Sequence, residues 1–203
     1  MMTILNSIQN TFNKLFNRQT HSPINLVDKD LRYKIAIAFL LSHEGGYSDH
    51  KTDEGGPTKY GISLRFLKNS GLDINGDGKI DIDDIRALNL QNAEQIYKEK
   101  FWDKYNFNAI KNIDVAKKIF DLAVNMGPQE AIIILQKAIN SFRCHELCLD
   151  GVLEDATLAA TNVFGALLLP PIKEEAAAYY KNLVKKFPYL QMYLTGWLKR
   201  AED

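Results

Sequence analysis

The sequence predicts a mainly α fold, a bundle of helices carrying one small β-ribbon, and three observations lead there. A series of segments repeats apolar residues at helical spacing, with Gly-Pro, Asp-Gly or Pro-Pro breaks between them. Nothing resembles a sheet of any size. The exception is a corner that packs five glycines into the twenty residues from Glu44 to Ser63. Its turn-forming residues suit a short ribbon folded back on a helix end. At 203 residues, 46% of them hydrophobic, the chain can bury a sizeable core.

Taken in order, residues 1–22 have helical period, with Ile4, Ile8, Phe12, Leu15 and Phe16 on one stripe. They show no continuous apolar stretch, basic leader or small-residue cleavage site, so they read as neither signal peptide nor membrane span. The expectation is an N-terminal extension over residues 1–30, synthesis in the cytoplasm, and action in the periplasm or cell wall after release through lysis or a membrane pore. From Leu31 a helix is expected to bury the stripe Leu31, Ile35, Ala38, Phe39 and Ser42, with Ile37, Leu40 and Leu41 beside it. Asp28 or Asp30 would cap its start and Gly45 its end. Further helices are expected in AEQIYKEKFWDKY, DVAKKIFDLAVNM, QEAIIILQKAINSF, EDATLAATNVFGAL, IKEEAAAYYKNLVKKF and MYLTGWLKRAE. Clear linkers are missing, so a boundary near residue 112 separates two subdomains, 31–111 and 112–203.

The glycine-dense corner carries the chemistry. Glu44 stands in the last turn of the helix from Leu31, aimed by a rigid rod. The negative end of that helix and an apolar wall of Phe39, Leu40 and Tyr47 both favour its protonated form. A protonated carboxyl beside an ionised one is the arrangement that cleaves glycosidic bonds. Asp53 is the preferred second carboxylate, Asp49 its rival, and the Thr58 hydroxyl can orient water. His43 precedes the acid and could tune it.

The run EGGYSDHKTDEGGPTKYGIS resembles the signature of glycoside hydrolase family 108, bacterial and phage muramidases also labelled secretion activator proteins. Its Glu, Asp, Thr order is also similar to the triad of phage-type lysozymes, with Thr58 slightly closer to Asp53 than in that class. The resemblance continues in order through DINGDGKIDIDD, YKEKFWDKY, IFDLAVNMG, LQKAIN, LDGV and GWLKR, from about Leu31 to Arg200. It implies a lysozyme-like bundle, with Glu44 as proton donor in cleaving the bond between N-acetylmuramic acid and N-acetylglucosamine. It also implies bacterial peptidoglycan as partner and a wall-binding segment in 112–203. The stretch LDGVLEDAT departs from that wall-binding pattern, which has another glycine where this chain has Leu153-Glu154-Asp155. Asp121 and Asn125 share a helix face that the family sets near the cleft; they either contact substrate or form a satisfied buried polar pair. A lytic transglycosylase, or a wall-binding or secretion-assisting protein without turnover, would keep the same fold.

Asp73, Asn75, Asp77, Lys79, Asp81 and Asp84 fall at alternate positions and the last position of an EF-hand-like loop, with Gly78 at its sharp turn. Asp84 stands where glutamate is usual. A structural Ca²⁺ ion is therefore expected as an option, while the chemistry requires no cofactor. Among the aromatics, Phe101 reads as core and Trp102, Tyr47 and Tyr60 as cleft residues; Trp197 reads as packing on the body of the fold. Cys144 and Cys148 flank His145 without a second half-site, so free thiols are expected and zinc is not. The 25 basic and 25 acidic residues balance, which makes no case for nucleic acid. A monomer without stable membrane insertion is expected.

Overall fold

The computed structural model describes residues 26–43, 56–143 and 146–203. The N-terminal stripe, Cys144 and His145 lie outside the described residues.

Helix α1 (Leu26–His43) buries Tyr33, Ala36, Ile37 and Leu40. The stripe expected to be inside is largely outside: Leu31 is 56% and Ile35 42% exposed, and Ala38 and Ser42 face solvent. The run Ile35 to Leu41 is apolar all round, so periodicity alone does not choose its inner face. Polar tethers choose it. The Tyr33 hydroxyl donates to the Glu94 carbonyl, and the Arg32 guanidinium donates to the carbonyls of Ile110 and Lys111. Asp28 and Asp30 lie within the first turns, not ahead of them, so neither is the cap expected.

The ribbon pairs β1 (Thr58–Lys59) antiparallel with β2 (Ile62–Ser63), Thr58 opposite Ser63 and Lys59 opposite Ile62. Its two-residue turn needs left-handed backbone twice, and Tyr60 (φ 52°) and Gly61 (φ 77°) supply it. Ser63 then caps α2 (Leu64–Ser70), accepting from the Phe66 amide at 3.2 Å. After an acidic loop come α3 (Ile82–Ala87) and α4 (Leu90–Tyr97), each opened by a reciprocal capping box, Asp81 with Asp84 and Asn89 with Asn92. The chain runs on from α4 as a wider π-turn, Lys98–Trp102.

Helix α5 (Ile113–Met126) is capped by Asn112 and buried over most of its girth. It packs against α1 on one side and against α6 (Pro128–Asn140) on the other. The expected boundary at residue 112 thus falls at the start of the helix that joins the two halves. One cluster of buried apolar residues runs from Tyr33 to Ala201. Its aromatic heart is Trp102, Phe107 and Phe120, with Trp102 edge-on to Phe120 at 5.4 Å.

The expected Pro-Pro break instead forms the first turn of α8 (Leu169–Lys186), where a missing N–H costs nothing. By length and composition residues 155–186 could cross a membrane. Here they fold as α7 (Asp155–Phe164), a tight turn and α8, which buries Ile172, Ala176, Tyr180 and Val184. Helix α9 (Leu194–Glu202) lies against α8, and Trp197 stacks on Tyr180 at 5.3 Å, as packing on the body requires. Cys148 is an exposed free thiol.

The LDGV turn is a structural knot. The buried Gln136 amide of α6 donates to Asp150 Oδ1 at 2.7 Å, to the Val152 carbonyl and to Thr157, and its oxygen accepts from the Gly151 amide at 3.0 Å. Gln136 and the carbonyl groups around it are thereby paired inside the fold.

Candidate active site

Glu44, Tyr47, Asp49 and Asp53 lie outside the described residues. What is described is the helix end that leads to them and the ribbon that follows them. Thr58, half-buried on β1, donates its hydroxyl to the Gly56 carbonyl at 3.0 Å, which leaves the oxygen itself as an acceptor. Tyr60 sits at the ribbon turn, and its carbonyl accepts from the buried Tyr97 hydroxyl at 2.9 Å. Lys59 ties the ribbon to α3 through the Arg86 carbonyl at 2.9 Å. The ribbon is therefore anchored at both its turn and its strand.

A cavity of about 240 Å³ opens beside this ribbon, between Gly61–Ser63, the α2 residues Arg65, Phe66 and Asn69, and Tyr97, Phe101 and Val124. Phe66 and Phe101 stack at 5.9 Å along it. The aromatic assignments made from sequence are here exchanged. Trp102, expected in the cleft, is 1% exposed and wedged between Tyr33, Phe107 and Phe120, so it has no free face for a sugar. Phe101, expected in the core, forms the cavity wall. The π-turn accounts for the exchange, because a wider turn shifts the phase of the side chains that an unbroken helical repeat would assign. Arg65 and Asn69 were missed, since an exposed polar residue on a short helix carries no sequence signal.

Asp121 and Asn125 do not act as a pair. Asp121 is fully buried, with Oδ1 3.4 Å from His43 Nδ1 and Oδ2 3.7 Å from Arg200 Nε. That position corrects the expectation of a substrate contact, because the carboxyl is fully buried. Asn125 is exposed and accepts from the Tyr180 hydroxyl at 2.7 Å, which fastens α5 to α8. Burial pushes the Tyr180 phenol above its ordinary range. His43 Nε2 also meets Asp203 Oδ2 at 3.1 Å, and that hydrogen bond holds the Asp203 carboxyl below the usual carboxylate range.

The EF-hand-like loop closes on its own amides. Asp73 accepts from Gly76 and Gly78, each at 2.7 Å; Asn75 accepts from Asp77 at 2.9 Å and Asp77 from Lys79 at 2.8 Å. Asp81 caps α3, accepting from the Asp83 amide. Asp84, fully buried, accepts from Ile74 and Asp81 at 2.7 Å and from Asn75 at 3.3 Å. Burial alone would raise the Asp84 carboxyl, and these amide donors outweigh it, leaving the group below its ordinary range. Both oxygens that would complete a calcium shell thus face backbone N–H groups. Among the described residues no three His, Cys, Asp or Glu side chains gather as a metal site.

Helix, ribbon and acidic loop follow one another in the order that the sequence resemblance implies. Residues 37–127 match the glycosyl hydrolase 108 model. The recognition made from sequence is borne out over that stretch, which covers α1 from Ile37, the ribbon, the cavity and all of α5. A solved structure of Brucella abortus SagA superposes with a TM-score of 0.68 at 27% identity, over 85% of this chain and 91% of that one. No curated protein matches. The lysozyme-like, mainly α class with a small ribbon holds, and the glycosyl hydrolase 108 stretch makes this chain similar to glycoside hydrolases.

Proposed function

We propose that the protein is a peptidoglycan hydrolase, an N-acetylmuramidase that cleaves the bond between N-acetylmuramic acid and N-acetylglucosamine. Glu44 is the proton donor. Asp53 is the second carboxylate, with Asp49 its rival, and Thr58 orients water. The observation that carries the reading is the family match over residues 37–127, which contains the whole glycine-dense corner from Glu44 to Ser63. An anchored ribbon with an open cavity at its side supports it, since a polysaccharide strand needs a groove beside the acid. Tyr60 at the ribbon turn and the Phe66–Phe101 wall of the cavity offer faces for pyranose rings. The protein acts as a monomer on the bacterial cell wall.

Purified protein incubated with peptidoglycan is the test. Hydrolysis gives reducing muramic ends, a lytic transglycosylase gives anhydro ends, and a wall binder releases no fragments. Glu44→Gln is expected to lower kcat by about 10² to 10⁴, the worth of a general acid, with an unchanged circular dichroism spectrum. Wild-type turnover in that variant would remove Glu44 from the mechanism.

A further inference from the structure

We infer that Asp121 and Asp203 are positioning residues for the proposed acid, acting through His43; the inference rests on the muramidase reading above. His43 is the last residue of α1, so the backbone passes from it directly into Glu44. Its imidazole is where three elements meet. Nδ1 lies 3.4 Å from Asp121 on α5, and Nε2 lies 3.1 Å from Asp203, one residue beyond α9. The ring stands edge-on against Phe39 at 4.7 Å. With a carboxylate at each nitrogen and an aromatic ring at its side, the imidazole cannot turn without losing a contact. Lys117, over the far partner Phe39 at 4.9 Å, closes the same corner.

The support behind Asp121 is itself fixed. Arg200 of α9 reaches it at 3.7 Å, and the Arg200 carbonyl accepts from the buried Lys118 ammonium, one turn before Asp121 on α5. A buried ionic group is weak evidence for stability, because apolar residues of the same volume often fold as well. Its location is the second observation: the network converges on the residue next to the acid. Holding a reacting group in place is worth a great deal, since a displacement of about 1 Å can cost on the order of 10²-fold in rate. Asp121 thus serves the chemistry without touching substrate, and no sequence pattern joins residues 43, 121 and 203.

The experiment measures kcat and KM for release of reducing muramic ends by wild type, Glu44→Gln, His43→Gln, Asp203→Asn and Asp203→Glu, with a thermal melt of each. Asp203 is 40% exposed, so its variants test the idea without unfolding the protein. Loss of positioning is expected to lower kcat by about 3- to 10-fold for Asp203→Asn and about 30- to 100-fold for His43→Gln, with KM within about two-fold. Asp203→Glu, which returns a carboxylate to the imidazole, is expected to recover most of the loss. Wild-type kcat in both His43→Gln and Asp203→Asn overturns the inference, and so does a raised KM at constant kcat, which would make them substrate contacts. If Glu44→Gln is dead while those variants are fully active, only the positioning role falls. If Glu44→Gln turns over normally, or wild type releases no fragments, the muramidase reading falls and takes this one with it.

Discussion

Gly151 shows how much a single position can owe to its surroundings. It stands in LDGV, the stretch that departs from the wall-binding pattern, and it sits in a packed joint. A Cβ there would meet Gln129 Cγ at 2.4 Å and the Gln129 carbonyl oxygen at 2.8 Å, on a backbone with φ of +73°. Gly151→Ala is therefore expected to destabilise the protein by about 3 kcal/mol, from overpacking together with left-handed strain. Gly76→Ala, at φ +77° with open space around it, should cost only about 1 kcal/mol. Urea midpoints of the two variants check this, and equal shifts would mean that the clash relaxes freely. The legible sign was Gln136, a polar residue in the apolar run IIILQKAIN, because a buried amide must find partners. Its partners, fourteen or more residues away, were not legible.

At the scale of elements, helices were read well and phases less so. The segments from Ile113 to Asn140 sit close to where their periodicity placed them. Failures came where the period is locally altered or undecided: the π-turn that exchanged Phe101 and Trp102, and α1, whose all-round apolar run left its inner face to the tethers of Arg32 and Tyr33. In the acidic loop, the direction of the last carboxylate depends on amides that a spacing rule does not describe. Because both Asp84 oxygens are engaged, calcium and chelator at matched ionic strength are expected to give the same melting temperature. Asp84→Asn, which sets an amide N–H₂ against buried N–H donors, should cost about 1 to 3 kcal/mol. A clear rise in melting temperature with calcium would show that the carboxylate swings outward to take the ion.

The molecule as a whole turns on α5, and its one buried ammonium among the described residues makes a pH-dependent statement. Burial pulls Lys118 down from its ordinary 10.5 to about 8, with Asp121 opposing and Lys173 assisting. The folded value lies below the unfolded one, so between pH 8 and 10.5 the unfolded chain holds a proton that the folded chain has released. Stability from this group accordingly rises with pH across that window, and its penalty is fully present below pH 8. In denaturation at several pH values, the stability of wild type relative to Lys118→Met should climb by up to about 1.4 kcal/mol per pH unit within the window. A flat difference would show that Lys118 does not titrate there. The same helix decides what kind of machine this is. Tyr97 and Trp102, ahead of residue 112, lean on Phe120 behind it, at 6.5 and 5.4 Å. A chimera that grafted residues 31–111 onto a foreign anchor would bare those rings to water. In this architecture new binding properties have to come from resurfacing its loops, since the front and rear of the molecule cannot be shuffled like cassettes.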